Sequence, residues 1–122
     1  MSKILIAEDD KAVRSFVARA LTHKKHEVTA VGDGMQALEA MGENKYDLLI
    51  TDIVMPGLDG IGLALMVAKD APDMPVLLMT GYSAEKQRAH NLEELIFKVV
   101  TKPFSLQEIC TAAEEALAVN AS

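Results

Sequence analysis

Five short apolar runs punctuate the chain: Ile4-Leu5-Ile6-Ala7, Val28-Thr29-Ala30-Val31, Leu48-Leu49-Ile50-Thr51, Val76-Leu77-Leu78-Met79 and Phe97-Lys98-Val99-Val100-Thr101. They are partly β-branched, and polar or turn residues bound each one. Three are nearly continuous, the pattern of strands covered on both faces. Between and after them the apolar period becomes helical. Val13, Phe16, Val17, Ala20 and Leu21 follow i, i+3, i+4, i+7, i+8 spacing. A second helix is predicted from Asp33, with Gln36 as its capping partner. A third covers about 60–69 and turns Ile61, Ala64, Leu65 and Ala68 inward. A fourth, more polar, is predicted over 84–95. The last opens with Ser105-Leu106-Gln107-Glu108, an S-x-x-E capping box, and turns Leu106, Ile109, Cys110, Ala113 and Leu117 inward. Strand and helix alternate five times. That order predicts an α/β fold: a doubly wound, mainly parallel five-stranded sheet with right-handed crossovers and helices on both faces.

With 122 residues the chain is read as one domain over 1–122, its core at about 3–117, with no output domain after the last helix. The 12 basic and 18 acidic side chains give a formal charge of −6, which disfavours nucleic acid or an anionic membrane as partner. The single Cys110 excludes an internal disulfide and a multi-cysteine metal site. No apolar run reaches the ~18 residues of a membrane span, and Met1-Ser2-Lys3-Ile4 lacks a signal-peptide layout, so a cytoplasmic location is expected.

In an open parallel sheet, ligands sit beyond the carboxyl ends of the strands. The first run is followed by Glu8, Asp9 and Asp10, the third by Asp52, the fourth by Thr80 and Gly81, the fifth by Lys102 and Pro103. Gly32 and Asp33 after the second read as a turn and helix cap. One acid at a strand–helix junction is an ordinary cap. Four strand ends together deliver carboxylates, a hydroxyl and an ammonium to one edge. Clustered carboxylates raise one another's pKa, and a divalent cation resolves the conflict. An oxygen-only set favours Mg2+ or Ca2+. Lys102 adds a point charge suited to a phosphoryl oxygen, and Thr80 a neutral donor. This is equipment for phosphoryl transfer, with a carboxylate as the acceptor.

Lys3-Ile4-Leu5-Ile6-Ala7-Glu8-Asp9-Asp10, Leu49-Ile50-Thr51-Asp52-Ile53-Val54-Met55-Pro56-Gly57-Leu58-Asp59-Gly60, Leu78-Met79-Thr80-Gly81-Tyr82 and Thr101-Lys102-Pro103-Phe104 together resemble the receiver domain of bacterial two-component response regulators, the CheY-like superfamily. The resemblance spans about 3–117. It implies a flavodoxin-like sheet of order 2-1-3-4-5. It implies Asp52 as phosphoacceptor, with Thr80 and Lys102 contacting the phosphoryl group. Glu8, Asp9, Asp52 and the backbone carbonyl of Val54 would hold Mg2+, and the Lys102-Pro103 peptide would be cis. The phosphoryl donor would be a histidine kinase or histidine phosphotransfer protein. Many receivers carry a switching aromatic three residues before the lysine; here that position is Val99. By strand alternation Phe97 should face the same side. Val54 and Tyr82 occupy the two positions that tune hydrolysis in the family, and a valine and a tyrosine imply slow loss of phosphate. The output surface would include Tyr82, Lys86, Arg88, His90, Lys98, Val99, Pro103 and the outer face of the last helix. The layout is most similar to the CpdR-type single-domain receivers. That likeness implies an adaptor that, unphosphorylated, primes an ATP-dependent AAA+ protease.

Three other classes fit these residues less well. A haloacid-dehalogenase-type phosphatase needs a second aspartate two residues after the first, where this chain has Val54. A nucleotide or flavin binder wants a glycine-rich loop after the first strand, where Glu8-Asp9-Asp10 would repel phosphates. A receiver-like interaction module that is never phosphorylated would not need the full set of Glu8, Asp9, Asp52, Thr80 and Lys102. The seven methionines read as core filler, with Met55 covering the site loop. Cys110 reads as a packed apolar residue, and His23-Lys24-Lys25-His26 as a solvated turn.

Overall fold

The computed structural model describes residues 2–81 and 96–121. The strands are β1 (Lys3–Ala7), β2 (Glu27–Val31), β3 (Leu48–Asp52), β4 (Val76–Thr80) and β5 (Lys98–Thr101). The described helices are α1 (Lys11–His23), α2 (Gly34–Glu43), α3 (Gly60–Asp70) and the last helix, α4 (Leu106–Ala121). The helix expected over 84–95 lies outside the described residues. All strand pairings are parallel, and the order is β2-β1-β3-β4-β5. Every residue of β3 and β4 is buried, as their unbroken apolar runs predict.

Alternation along the strands divides the core in two. Ile4, Ile6, Leu48, Ile50, Leu77 and Met79 face the layer of α1 and α4, where Val17, Leu21, Ile109 and Ala113 meet them. Leu5, Leu49 and Leu78 face the opposite layer of α2 and α3, where Ala37, Ile61, Leu63, Ala64 and Val67 close the second core. Full burial of one such leucine or isoleucine contributes ~1.5–3 kcal/mol. The sheet is therefore held in a fixed frame between two apolar layers.

Local signals set the helix starts. Asp10 caps α1 by accepting from Ala12 N and Val13 N. Asp33 caps α2 through Gln36 N at 2.8 Å, while Gln36 Oε1 takes Gly32 N at 2.8 Å. Asp59 caps α3 through Gly62 N. The Ser105–Glu108 box forms reciprocally, Ser105 N to Glu108 Oε1 at 2.9 Å and Glu108 N to Ser105 Oγ at 3.0 Å, and these bonds hold the Glu108 pKa below its ordinary value.

Four expectations need correction. Phe16, on α1, is 40% exposed; its ring lies 6.3 Å from that of Phe104. On α3, Leu63 and Val67 are buried, whereas Leu65 is exposed and Ala68 half-buried. Leu106, in the first turn of α4, is exposed rather than packed. Phe97 precedes β5 and is exposed, while Val99 is half-buried against the α2–α3 layer. His26 is not solvated: its side chain is only 11% exposed and sits 4.0 Å from Glu114 of α4. Cys110 packs as expected, 4% exposed, with Sγ 3.7 Å from the Ala20 carbonyl, and burial raises its pKa.

Candidate functional site

The carboxyl ends of four strands converge at one edge of the sheet. Asp52 is the last residue of β3, beside Met79 in register, and Thr80 ends β4 opposite Thr101 of β5. Glu8 and Asp9 follow β1 directly, and Lys102 follows β5. The sheet thus brings to one place residues separated by up to 94 positions in sequence. Carboxylate oxygens of Glu8, Asp9 and Asp52 lie within 4.8 Å of one another. Lys102 Nζ lies 2.7 Å from Glu8 Oε1 and 3.3 Å from Asp52 Oδ1.

Backbone groups hold the acids in place. Glu8 Oε2 accepts from Asp10 N at 3.1 Å, and Asp52 Oδ1 accepts from Ile53 N at 3.0 Å. Lys102 N donates to the Thr80 carbonyl at 2.8 Å, tying the two strand ends together. Glu8 is fully buried and Asp52 6% exposed, whereas Asp9 faces solvent. Asp10 belongs to the α1 cap and not to the cluster.

Burial and charge act against each other here. Burial pushes the Glu8 pKa up to about 7, against the pull of the Lys102 hydrogen bond. Burial also raises Asp52, opposed by the charge of Lys102. Burial alone would lower Lys102. Its hydrogen bond to Glu8 and the charges of Asp52 and Glu8 outweigh that, and its pKa rises. Among the described residues one ammonium pairs with the two buried carboxyl groups, and Asp9 beside them has no ion pair with it. An oxygen-only donor set with two buried members and one facing solvent fits a hard divalent cation such as Mg2+.

Other predicted residues are placed as follows. Thr80 is buried at the pocket edge. Val54, two residues beyond Asp52, is 43% exposed. Pro103 is exposed and follows a cis Lys102-Pro103 peptide. Val99 is half-buried against the α2–α3 core. Tyr82, Lys86, Arg88 and His90 lie outside the described residues. Two contributors were not anticipated. Arg14 Nη1 donates to the Glu8 carbonyl at 2.9 Å, bracing the acidic strand end from α1. Gly60 lies against the Asp52 carbonyl so closely that a Cβ would fall 2.1 Å from that oxygen. Both act on backbone carbonyls, so side-chain chemistry did not signal them. The G at the end of the 49–60 motif was the one available clue.

Comparisons with known proteins agree with this geometry. Residues 4–114 match the response regulator receiver domain family. The response regulator receiver protein CpdR of Brucella abortus is 37% identical over 117 residues, covering 96% of this chain and 98% of that protein. The receiver domain of the Francisella response regulator 1452 superposes with a TM-score of 0.87 at 28% identity, covering 98% of each chain. TrrA of Thermotoga maritima, solved in complex with Mg2+ and BeF, superposes with a TM-score of 0.85 at 28% identity, over 95% of this chain and 99% of that one. The chain belongs to the response regulator receiver domain family, the signalling proteins of two-component systems.

Proposed function

We propose that the chain is a phosphorylation-dependent switch. It accepts a phosphoryl group on Asp52 from a phosphohistidine of a kinase or phosphotransfer protein, and so alters its binding to partner proteins in the cytoplasm. One observation carries this reading most directly. Lys102 reaches across the pocket to both Glu8 and Asp52, while Asp9 leaves one side open to solvent.

An Asp52 carboxylate oxygen attacks phosphorus, the nitrogen–phosphorus bond of the donor breaks, and the imidazole leaves with a proton taken from solvent. The bond from Ile53 N fixes Asp52 Oδ1, which favours attack through the other oxygen. Lys102 is placed to pair with the arriving phosphoryl oxygens, and Thr80, at the neighbouring strand end, to hydrogen-bond them. Glu8, Asp9, Asp52 and the Val54 carbonyl would hold Mg2+, which supplies neutralising charge for the phosphoryl oxygens. The protein assists only its own phosphorylation and dephosphorylation and is not otherwise an enzyme. Added charge at Asp52 then shifts the population of states of the loop after β3, by no more than the difference in contacts between those states.

Treating the chain with acetyl phosphate and Mg2+ tests this reading. The expected result is a mass gain of one phosphoryl group that is absent in Asp52→Asn. A gain that survives that substitution overturns it. The near full-length likeness to CpdR favours a more specific target, an AAA+ protease bound in the unphosphorylated state. Asp52→Ala should then retain such a partner in a pull-down, and phosphorylated wild type should release it.

A further inference from the structure

At the opposite edge of the sheet from Asp52, the loops entering β1, β3 and β4 enclose a groove of about 810 Å3. The size is that of a ligand or peptide site. Its floor is apolar and half-buried: Met41 of α2, Tyr46, Met74 and Leu117 of α4. Its rim carries exposed Asp47, Asp70 and Asp73, with Lys45 the one base among the described lining residues.

Two helices add to that charge. α2 ends at Glu43 with its cap at Asn44, and α3 ends at Asp70 with its cap at Ala71; both caps line the groove. A helix carries about half a negative charge at its C-terminus, in its last unpaired carbonyls. The groove therefore combines apolar contact area with two negative helix ends and three carboxylates, on a chain whose net charge is −6. A cation is drawn toward such a surface, and an anion is repelled.

We propose that this groove docks a basic, apolar peptide segment of a partner protein. Leucine-like side chains would lie on Met41, Tyr46, Met74 and Leu117, and arginine or lysine would pair with Asp70. Asp47 Oδ2 accepts from Lys3 N at 2.8 Å, and Asp73 has a partner of its own, so these two supply field rather than new bonds. The groove and the phosphoacceptor lie at opposite ends of the strands. This second binding site consequently does not depend on the reading of the first.

The test is a titration of the isotope-labelled full chain with a synthetic peptide that alternates leucine and arginine, followed by amide NMR shifts. The expected shifts cluster at Met41, Tyr46, Met74 and Leu117 and weaken with added salt. Affinity should fall at least about tenfold in Asp70→Lys. A leucine–glutamate peptide should bind that reversed variant better than it binds wild type. Unchanged labelling of Asp52 by acetyl phosphate would show that the variant is folded. Four results overturn the proposal: no shifts, shifts elsewhere, affinity unchanged on charge reversal, or the same shifts from spermine alone. Shifts that grow with chain concentration and no peptide would assign the face to a second copy of the chain, and would overturn it equally.

Discussion

Replacing Lys102 by alanine is expected to slow acetyl-phosphate labelling of Asp52 about 100-fold, the usual scale for losing one charged group aimed at developing charge. The ammonium is 2.7 Å from Glu8 and 3.3 Å from Asp52, and the variant leaves both carboxyl groups buried without it. Stability of the metal-free chain should drop as well, by about 2 kcal/mol near pH 8, a value reduced from that of a fully buried pair because Lys102 is partly exposed. The sign of the pH dependence follows from the shifts. Burial raises both carboxyl groups above their ordinary values, Glu8 to about 7. Between the ordinary value and the folded one, the folded chain holds protons that the unfolded chain has released. Stability therefore falls as pH rises through the folded values. Without Lys102 the largest pull that lowers those values is lost, so the deficit against wild type should widen from about pH 5 to about pH 8. Urea titrations at the two pH values measure it; a deficit that narrows with rising pH would contradict the assignment.

Gly60→Ala is expected to be the most damaging single methyl in the chain. Its Cβ would lie 2.1 Å from the Asp52 carbonyl oxygen, 2.9 Å from the Asp52 carbonyl carbon and 2.9 Å from Ile53 Cα. All three are backbone atoms in or beside a central strand, so none can rotate away. The cost should reach ~3 kcal/mol, at the upper end for overpacking. Relief of the clash must move the strand end that carries Asp52, and a 1 Å misplacement costs about 100-fold in a positioned reaction. Labelling should therefore fall even under conditions where circular dichroism shows a folded chain. Gly42→Ala is the control. Nothing lies within 4 Å of its added Cβ inside α2, and it should gain ~0.5–1 kcal/mol from reduced freedom of the unfolded chain.

The strands were legible because burial on both faces leaves no room for polar residues, as in Leu48–Asp52 and Val76–Thr80. The helix starts were legible because a cap is a local bargain between one side chain and one or two amides, as at Asp33 and Ser105. The facing of α3 was not. Ile61, Leu63, Ala64, Leu65, Met66 and Val67 are apolar all round the helix, so no polar stripe sets its phase. Phe16 and Leu106 failed for a different reason. Each keeps the helical period but falls at the margin of the α1–α4 layer, and a folded surface tolerates isolated apolar side chains.

The cluster itself could be assembled from strand ends, because a parallel sheet sends every carboxyl end to one edge. What brings Lys102 onto Glu8 as well as Asp52 is the order of β1, β3, β4 and β5, which needed the family resemblance. His26 was misread because its neighbours Lys24 and Lys25 are exposed. Its burial comes from Glu114 and α4, 88 positions away, and no local pattern announces that packing.

Cys110 has a consequence for the cell. Thiol oxidation proceeds through the thiolate and requires access. Here burial disfavours deprotonation, and the sulfur sits between α1 and α4. Disulfide-forming oxidants therefore find no accessible thiol at Cys110 in the native protein, and its sulfur stays locked until those two helices part.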